Sequence, residues 1–203
     1  MERGSFAARH DFDALPLSPE VDVRCAQFSE IATLSDMARR LVPGVRIGTA
    51  DLAKYYTFDP ESILTFSRKG RLLGGMAFLF LNDRGHDALL LDEICLTAPE
   101  THYLASAKEE VAAIYIWAIA ATGRGIAGLG KAAAHLRQLR FRGADCYAQP
   151  STVAGRDIMK ATGFAPVPSF QPDLWCYERP WHRQPIPMPG AIIHARSFAD
   201  ARY

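Results

Sequence analysis

The chain has 203 residues, 49% of them hydrophobic and 22% charged, with a net charge of +1 at neutral pH. That suits one domain with a sizeable core, and it gives no electrostatic footprint for nucleic acid or an anionic membrane surface. The longest apolar run, Val111 to Ala121, is far short of the ~20 residues that cross a bilayer, and the first residues lack the apolar segment of a signal peptide. A cytoplasmic protein is the expectation. Cys25, Cys95, Cys146 and Cys176 form no C-x-x-C pair, and the six histidines show no metal-binding spacing. Neither a disulfide framework nor a metal site is expected.

Residues 1–20 mix charge with Pro16 and Pro19 without a period and read as a loose arm. Val21 to Phe28 alternates as a half-buried strand does. A helix should run from Ser29 to Leu41 and stop at Pro43-Gly44, with a second short one over Thr49 to Tyr56. Ile63 to Ser67 and Leu72 to Leu81 flank the turn Arg68-Lys-Gly-Arg and predict a hairpin. Asn82 to Gly85 reads as another turn, and the apolar stretch Ala88 to Thr97 as a third strand ended by Ala98-Pro99.

Ala105 to Ala121 has helix-forming composition, with Glu109 and Glu110 early and apolar residues on nearly every side later. Such a helix would be buried or would meet a second copy of the chain. Four glycines follow in Gly123-Arg-Gly-Ile-Ala-Gly-Leu-Gly-Lys131, leading into a helix over about Gly128 to Phe141. A strand at Asp145 to Gln149, a helix from Ser151 to Ala161 closed by Gly163, and a strand at Asp173 to Glu178 complete the pattern. From Pro180 the chain is proline-rich and reads as an extended strap.

The glycine segment is the strongest chemical signal. Backbone without side chains admits a phosphate closely, and the first turn of a following helix offers N–H donors. On glycine content alone, a plain connection between helices stands level with that reading. The surrounding pieces add a family. Arg124 to Gly130 resembles the acetyl-CoA loop of the GNAT acyl-CoA-dependent N-acyltransferases. Thr152 to Phe164, ending Met-Lys-Ala-Thr-Gly-Phe, is similar to that family's late helix, and Leu91 to Glu100 is similar to the strand that precedes the loop. The resemblance covers roughly residues 21–178, with 1–20 as an arm and 179–203 as an extension.

The resemblance implies an α/β fold with a mixed, mostly antiparallel central sheet flanked by helices. It implies acetyl-CoA or another acyl-CoA as co-substrate, no metal, and a small-molecule or peptide amine as acceptor. Gly125, Ala127, Gly128, Leu129, Gly130 and Lys131 would hold the pyrophosphate. Leu96 and Thr97, at the end of the expected strand, would pair with the pantetheine arm. Glu93 would accept the proton of the attacking amine. No nucleic-acid or membrane partner is expected, and the apolar helix 105–121 would be a homodimer contact.

Three departures accompany the resemblance. The loop carries one residue too many between Arg124 and Gly128. Met159 stands where many members have a tyrosine that protonates the leaving thiolate, with Tyr147 or Tyr103 as candidate substitutes. About 25 residues separate the expected strand from the loop, so Thr101 to Ala107 is a rival loop. The Arg137, Arg140 and Arg142 cluster is a solvated helix end or a contact for the 3′-phosphate of CoA; His135 reads as surface, and Trp117, Trp175 and Phe80 as core. Two alternatives remain beside the N-acyltransferase: an acyl-homoserine-lactone-synthase-like enzyme, and a non-catalytic acyl-CoA-binding or protein-interaction module of the same fold.

Overall fold

A computed structural model of the chain describes residues 11–44 and 48–179. The Pro-rich stretch 180–203 and residues 1–10 lie outside the described residues. One mixed sheet organises the described chain. Its strands are β1 (Asp22–Cys25), β2 (Ile63–Arg68), β3 (Arg71–Leu81), β4 (Ala113–Ala121), β5 (Asp145–Ala148), β6 (Ala165–Pro166) and β7 (Trp175–Tyr177). Their spatial order is β1-β2-β3-β4-β5-β7-β6. Every neighbouring pair is antiparallel except β4 with β5, which run parallel. The expected fold class is the one observed.

The β2–β3 hairpin forms where the sequence predicts it. Lys69 and Gly70 both take positive φ, 50° and 76°, the left-handed pair that a tight hairpin turn requires. Helix α1 (Ile31–Leu41) buries Ile31, Leu34, Ser35 and Ala38 along one face, the spacing of an amphipathic helix. With α2 (Thr49–Phe58) it packs Leu34 and Leu52 against Ile63, Ala77 and Ala118 of the sheet. Helix α4 (Leu129–His135) covers the opposite face, where Ala132, Ala133 and Leu136 meet Phe66, Phe78 and Ile114. Helix α5 (Val153–Ala161) begins at Thr152, whose Oγ1 accepts from the Gly155 N–H at 2.9 Å. That is an N-cap satisfying one orphan donor.

Two expected elements exchange identity. Ala88 to Thr97 is not a strand: Asn82 caps helix α3 (Asp83–Leu90) through Gly85 N–H at 2.9 Å, and Leu91 to Pro99 continues as turns. The stretch 105–121 is not a helix: Ala113–Ala121 is β4, the central strand, paired along its length with β3. A strand covered on both faces reads as a continuous apolar run without period-2 alternation, and here it is alanine-rich as well. The apolar stretch therefore lies inside the sheet and presents no helical face to a second copy.

Residues 11–20 are not a loose arm. Phe12 is 3% exposed, packs edge-on against Phe164 at 5.4 Å between ring centroids, and joins the main core. Arg137 donates to the Asp13 carbonyl, and Arg179 lies 3.6 Å from the Asp13 carboxylate.

Candidate functional site

Strands β4 and β5 pair only from Ala113–Asp145 to Ile116–Ala148. Pro150 follows one residue after Gln149, and a proline has no N–H to extend a ladder. Beyond Ile116, β4 continues alone on that side, and the strands part. The gap is a cleft of about 230 Å³. Its walls are β4 from Ile116 to Ile119, Ile126 and Leu129 ahead of and within α4, Gln149 to Thr152, and the inner side of α5 with Met159. Phe12, Phe164, Leu41 at the end of α1 and its C-cap Val42 complete the lining.

A register shift against Ala77 and Phe78 leaves Trp117 as an extra residue in β4, because Ala77 pairs with Ala118 and Phe78 with Ile116. Such a bulge takes one residue's backbone groups out of the ladder. The Trp117 ring lies edge-on to Tyr55 at 5.1 Å. Tyr55 donates to the Pro99 carbonyl at 3.0 Å, and burial pushes its hydroxyl up to about 12. Tyr115, on the strand beside Trp117, donates its hydroxyl to Gln149 Oε1 at 2.8 Å. Gln149 Nε2 donates to the Pro172 carbonyl at 2.6 Å.

The glycine segment follows β4 directly, so the 25-residue gap disappears once β4 is recognised as the preceding strand. Gly123 takes φ +54°, and residues 123–128 form a 3-10 turn running into α4. The rival, Thr101 to Ala107, forms a short 3-10 turn with an isolated bridge from Leu104 to Leu81, and no helix follows it.

Three of the glycines have a packing reason of their own. A Cβ on Gly125 would stand 3.0 Å from Leu73 Cβ, one on Gly128 2.8 Å from the Phe66 ring, and one on Gly130 2.2 Å from the Pro16 carbonyl oxygen. The segment is glycine-rich because it presses onto β2, β3 and residues 15–16. Gly125 N–H bonds to the Thr122 carbonyl and Leu129 N–H to the Ile126 carbonyl. The 3-10 turn thus uses N–H groups that an isolated helix start would leave free.

Among the residues expected to bind cofactor, Leu129 lines the cleft; Gly125, Gly128 and Gly130 are buried beneath the segment and Ala127 packs against the core. Lys131 points to β1, its Nζ 3.8 Å from Asp22 Oδ1. Glu93, Leu96 and Thr97 sit on the turns after α3, not on a strand, with Glu93 and Thr97 exposed. None of the three lines the cleft. The same turns carry Cys95, whose Sγ lies 3.3 Å from Thr97 Oγ1, a contact that lowers the thiol's pKa.

Tyr147 is buried, pairs with His86 Nε2 at 2.8 Å, and does not line the cleft; the Tyr103 ring lies tilted against His102. Met159 lines the cleft. Arg140 is committed elsewhere, to Asp59 at 2.6 Å and Glu61 at 2.9 Å. His135 is half-buried, which lowers its pKa. The residues missed by the sequence reading are Trp117, Gln149 and the α5 wall. Pro150, just after a strand pattern, was the signal that the ladder ends there.

No protein-family model matches the chain, and no curated protein does. Among solved structures, the chain is similar to the GphF GNAT-like decarboxylase in complex with isobutyryl-CoA, at 16% identity and TM-score 0.45, over 63% of this chain and 64% of that one. It is similar to the loading GNATL domain of CurA from Lyngbya majuscula at 11% identity and TM-score 0.47, over 64% of each chain. A GNAT family acetyltransferase from Brucella melitensis in complex with acetyl-CoA matches at 15% identity and TM-score 0.45, over 78% of this chain and 87% of that one. The chain therefore covers 64% of the length of the first two. These are likenesses of overall fold.

Proposed function

We propose that the chain is an acyl-CoA-dependent N-acyltransferase that holds the acyl-pantetheine arm in the cleft between β4 and β5. The observation that carries this reading is the parting of two parallel strands at Ile116 and Ala148 over an apolar cleft. Pantetheine is an extended chain with two amides. It suits a strand edge that has lost its neighbour, because main-chain groups give affinity there without particular side chains. The order strand, glycine segment, helix, strand, helix, Gly-Phe, on which the sequence resemblance rests, is the order of β4, residues 123–128, α4, β5, α5 and Gly163-Phe164. Acetyl is the simplest acyl group for the cleft.

The reaction is direct attack of the amine nitrogen on the thioester carbonyl. The C–N bond forms, the C–S bond breaks, and the thiolate leaves with the electron pair. Backbone N–H at the Trp117 bulge is the natural donor to the thioester oxygen. The cleft contributes orientation above all. Glu93 is outside this assignment, since it is exposed on a turn and absent from the cleft wall.

The test is thermal unfolding with and without acetyl-CoA, followed by thiol release on an amine panel. Ligand at 100 times its dissociation constant should stabilise the fold by about 2.7 kcal/mol. No shift with acetyl-CoA, CoA or longer acyl-CoAs would sink the reading. Binding without thiol release on any amine would leave the non-catalytic acyl-CoA module, a reading that Met159 in place of a proton donor favours. Glu93→Gln should retain turnover within about threefold; a loss of a hundredfold or more would restore it as the base.

A further inference from the structure

We infer that the Gln149 carboxamide orients the acceptor, and that the acceptor is a weakly basic amine, neutral at pH 7, of the aromatic-amine class. This rests on the acyltransferase reading and adds to it the identity of the amine. Among the described residues, the cleft wall includes no Asp, Glu, His, Lys, Arg, Tyr or Cys side chain. Its polar side chains are Gln149, Ser151, Thr152 and Thr162. Two of these are occupied: Thr152 Oγ1 caps α5, and Thr162 Oγ1 donates to the Ile158 carbonyl at 2.9 Å. Ser151 is exposed at the rim.

Gln149 differs from them in being fixed at both ends. Pro172 O can only accept, so the amide nitrogen faces it, and the Tyr115 hydroxyl donates to the amide oxygen. Tyr115 is itself 4% exposed, and burial holds its hydroxyl protonated, well above the ordinary value. After these two bonds the carboxamide retains one N–H and one lone pair. It stands where β4 and β5 part, opposite Trp117. The charged groups of α5 and the loop before β7, Arg156, Asp157, Lys160 and Asp173, do not line the cleft, and Arg156 and Asp173 are paired to each other at 2.8 Å.

An amide oxygen accepts a hydrogen bond from an amine N–H, but it does not take a proton at neutral pH. An alkylammonium, with a pKa of about 10.4 in the lysine case, would have to shed its proton before entering an apolar cleft whose described walls carry no base. An aromatic amine arrives already deprotonated, because its lone pair is shared with the ring. Its flat, apolar body suits walls of Trp117, Ile119, Phe12 and Phe164. In the transfer, neutral amine and acyl-CoA give the anilide and CoA thiol. The proton lost from nitrogen ends on the departing sulfur through solvent.

The test compares aniline with benzylamine, near-equal in size and opposite in basicity, using acetyl-CoA and thiol release from pH 6.5 to 9. Expected is a kcat/KM at pH 7 at least tenfold higher for aniline, flat with pH, while benzylamine rises about tenfold per pH unit as its free base appears. Gln149→Leu should lower kcat/KM for aniline at least tenfold, with the acetyl-CoA-induced shift in melting temperature unchanged. Tyr115→Phe, which only frees the carboxamide, should raise KM for aniline more than it lowers kcat. Gln149→Glu, which supplies a base, should raise the benzylamine rate at pH 7.

Benzylamine turned over as well as aniline at pH 7 overturns the proposal. So does acetyl-CoA binding with no aniline acylation, an outcome that leaves the cofactor assignment standing. Failure to bind any acyl-CoA instead removes the underlying reading and the proposal with it.

Discussion

At its Ala113 end β4 runs out of a knot of buried charge, whereas at its Ala121 end it runs past an apolar opening. In the knot, Arg140 reaches Asp59, Glu61, the Ser106 carbonyl and the Glu109 carbonyl, and its guanidinium lies 5.0 Å from the Phe141 ring centroid. Asp59 is 2% exposed. Three segments that share no hydrogen-bonded strand ladder, around residues 59–61, 106–109 and 140–141, are tied there through one side chain. At the other end the side chains that could make such ties are absent from the wall, and the two strands are free to part. The molecule thus secures the sheet at one end of its central strand and leaves the other open over an apolar cleft.

The comparison breaks most visibly at Arg140. Arg140→Leu leaves the Asp59 carboxylate buried without its partner and should cost about 3–5 kcal/mol in urea unfolding. The fraction that remains folded should bind acetyl-CoA with unchanged affinity, since the knot is not part of the cleft. Ala154→Trp tests the open end. Ala154 is exposed and lines the cleft, so the larger ring should weaken acyl-CoA binding tenfold or more while stability moves by no more than about 0.5 kcal/mol. A matching loss of stability would mean that the cleft is structural filling and not a site.

The smallest effect belongs to a surface tie of the same chemistry. Arg24 donates to both Glu30 oxygens, at 2.7 and 2.9 Å, and the Glu30 carboxyl is held below its ordinary value near 4.5 chiefly by that contact. A lowered acid adds stability above its unfolded value and loses it as pH falls through the folded one. The gap in stability between the natural chain and Glu30→Gln should therefore close below about pH 4.5. Because the Arg24 side chain is 45% exposed, the gap at pH 7 should stay under about 1 kcal/mol. A gap as large as that at Arg140 would show that burial is not what separates the two ties.

How far the sequence foretold all this depended on whether a local signal existed. The hairpin was legible because Lys69-Gly70 marks its turn and its strands carry β-branched and aromatic residues. Helix α1 was legible from spacing, and α5 from Thr152. The run 111–121 misled because burial on both faces erases alternation, and alanine favours a helix when context is ignored. Ala88 to Thr97 misled because its apolar residues suggest a strand where Asn82 caps a helix instead, and the roles the resemblance implies for Glu93, Leu96 and Thr97 depend on that strand. The glycines were noticed for the right locality but for a different reason: most answer to contacts with Leu73, Phe66 and Pro16. Gln149 was missed because its importance comes from Tyr115 and Pro172, 34 and 23 residues away in sequence.

Phe12 has a consequence for how the chain is made. It lines the cleft together with Phe164, and its ring also lies tilted against Tyr177, 5.5 Å between centroids. The cluster of Phe12, Phe164 and Tyr177 thus joins a residue near the first described position to one near the last. During synthesis at about 5–20 residues per second, a chain grown through α4 would have its glycine segment and most of its sheet, yet no closed cleft. The aromatic cluster at that wall is complete only when Phe164 and, in β7, Tyr177 have emerged to meet the early ring. The early ring therefore waits for residues made about 150 positions later before the cleft beside it takes its shape.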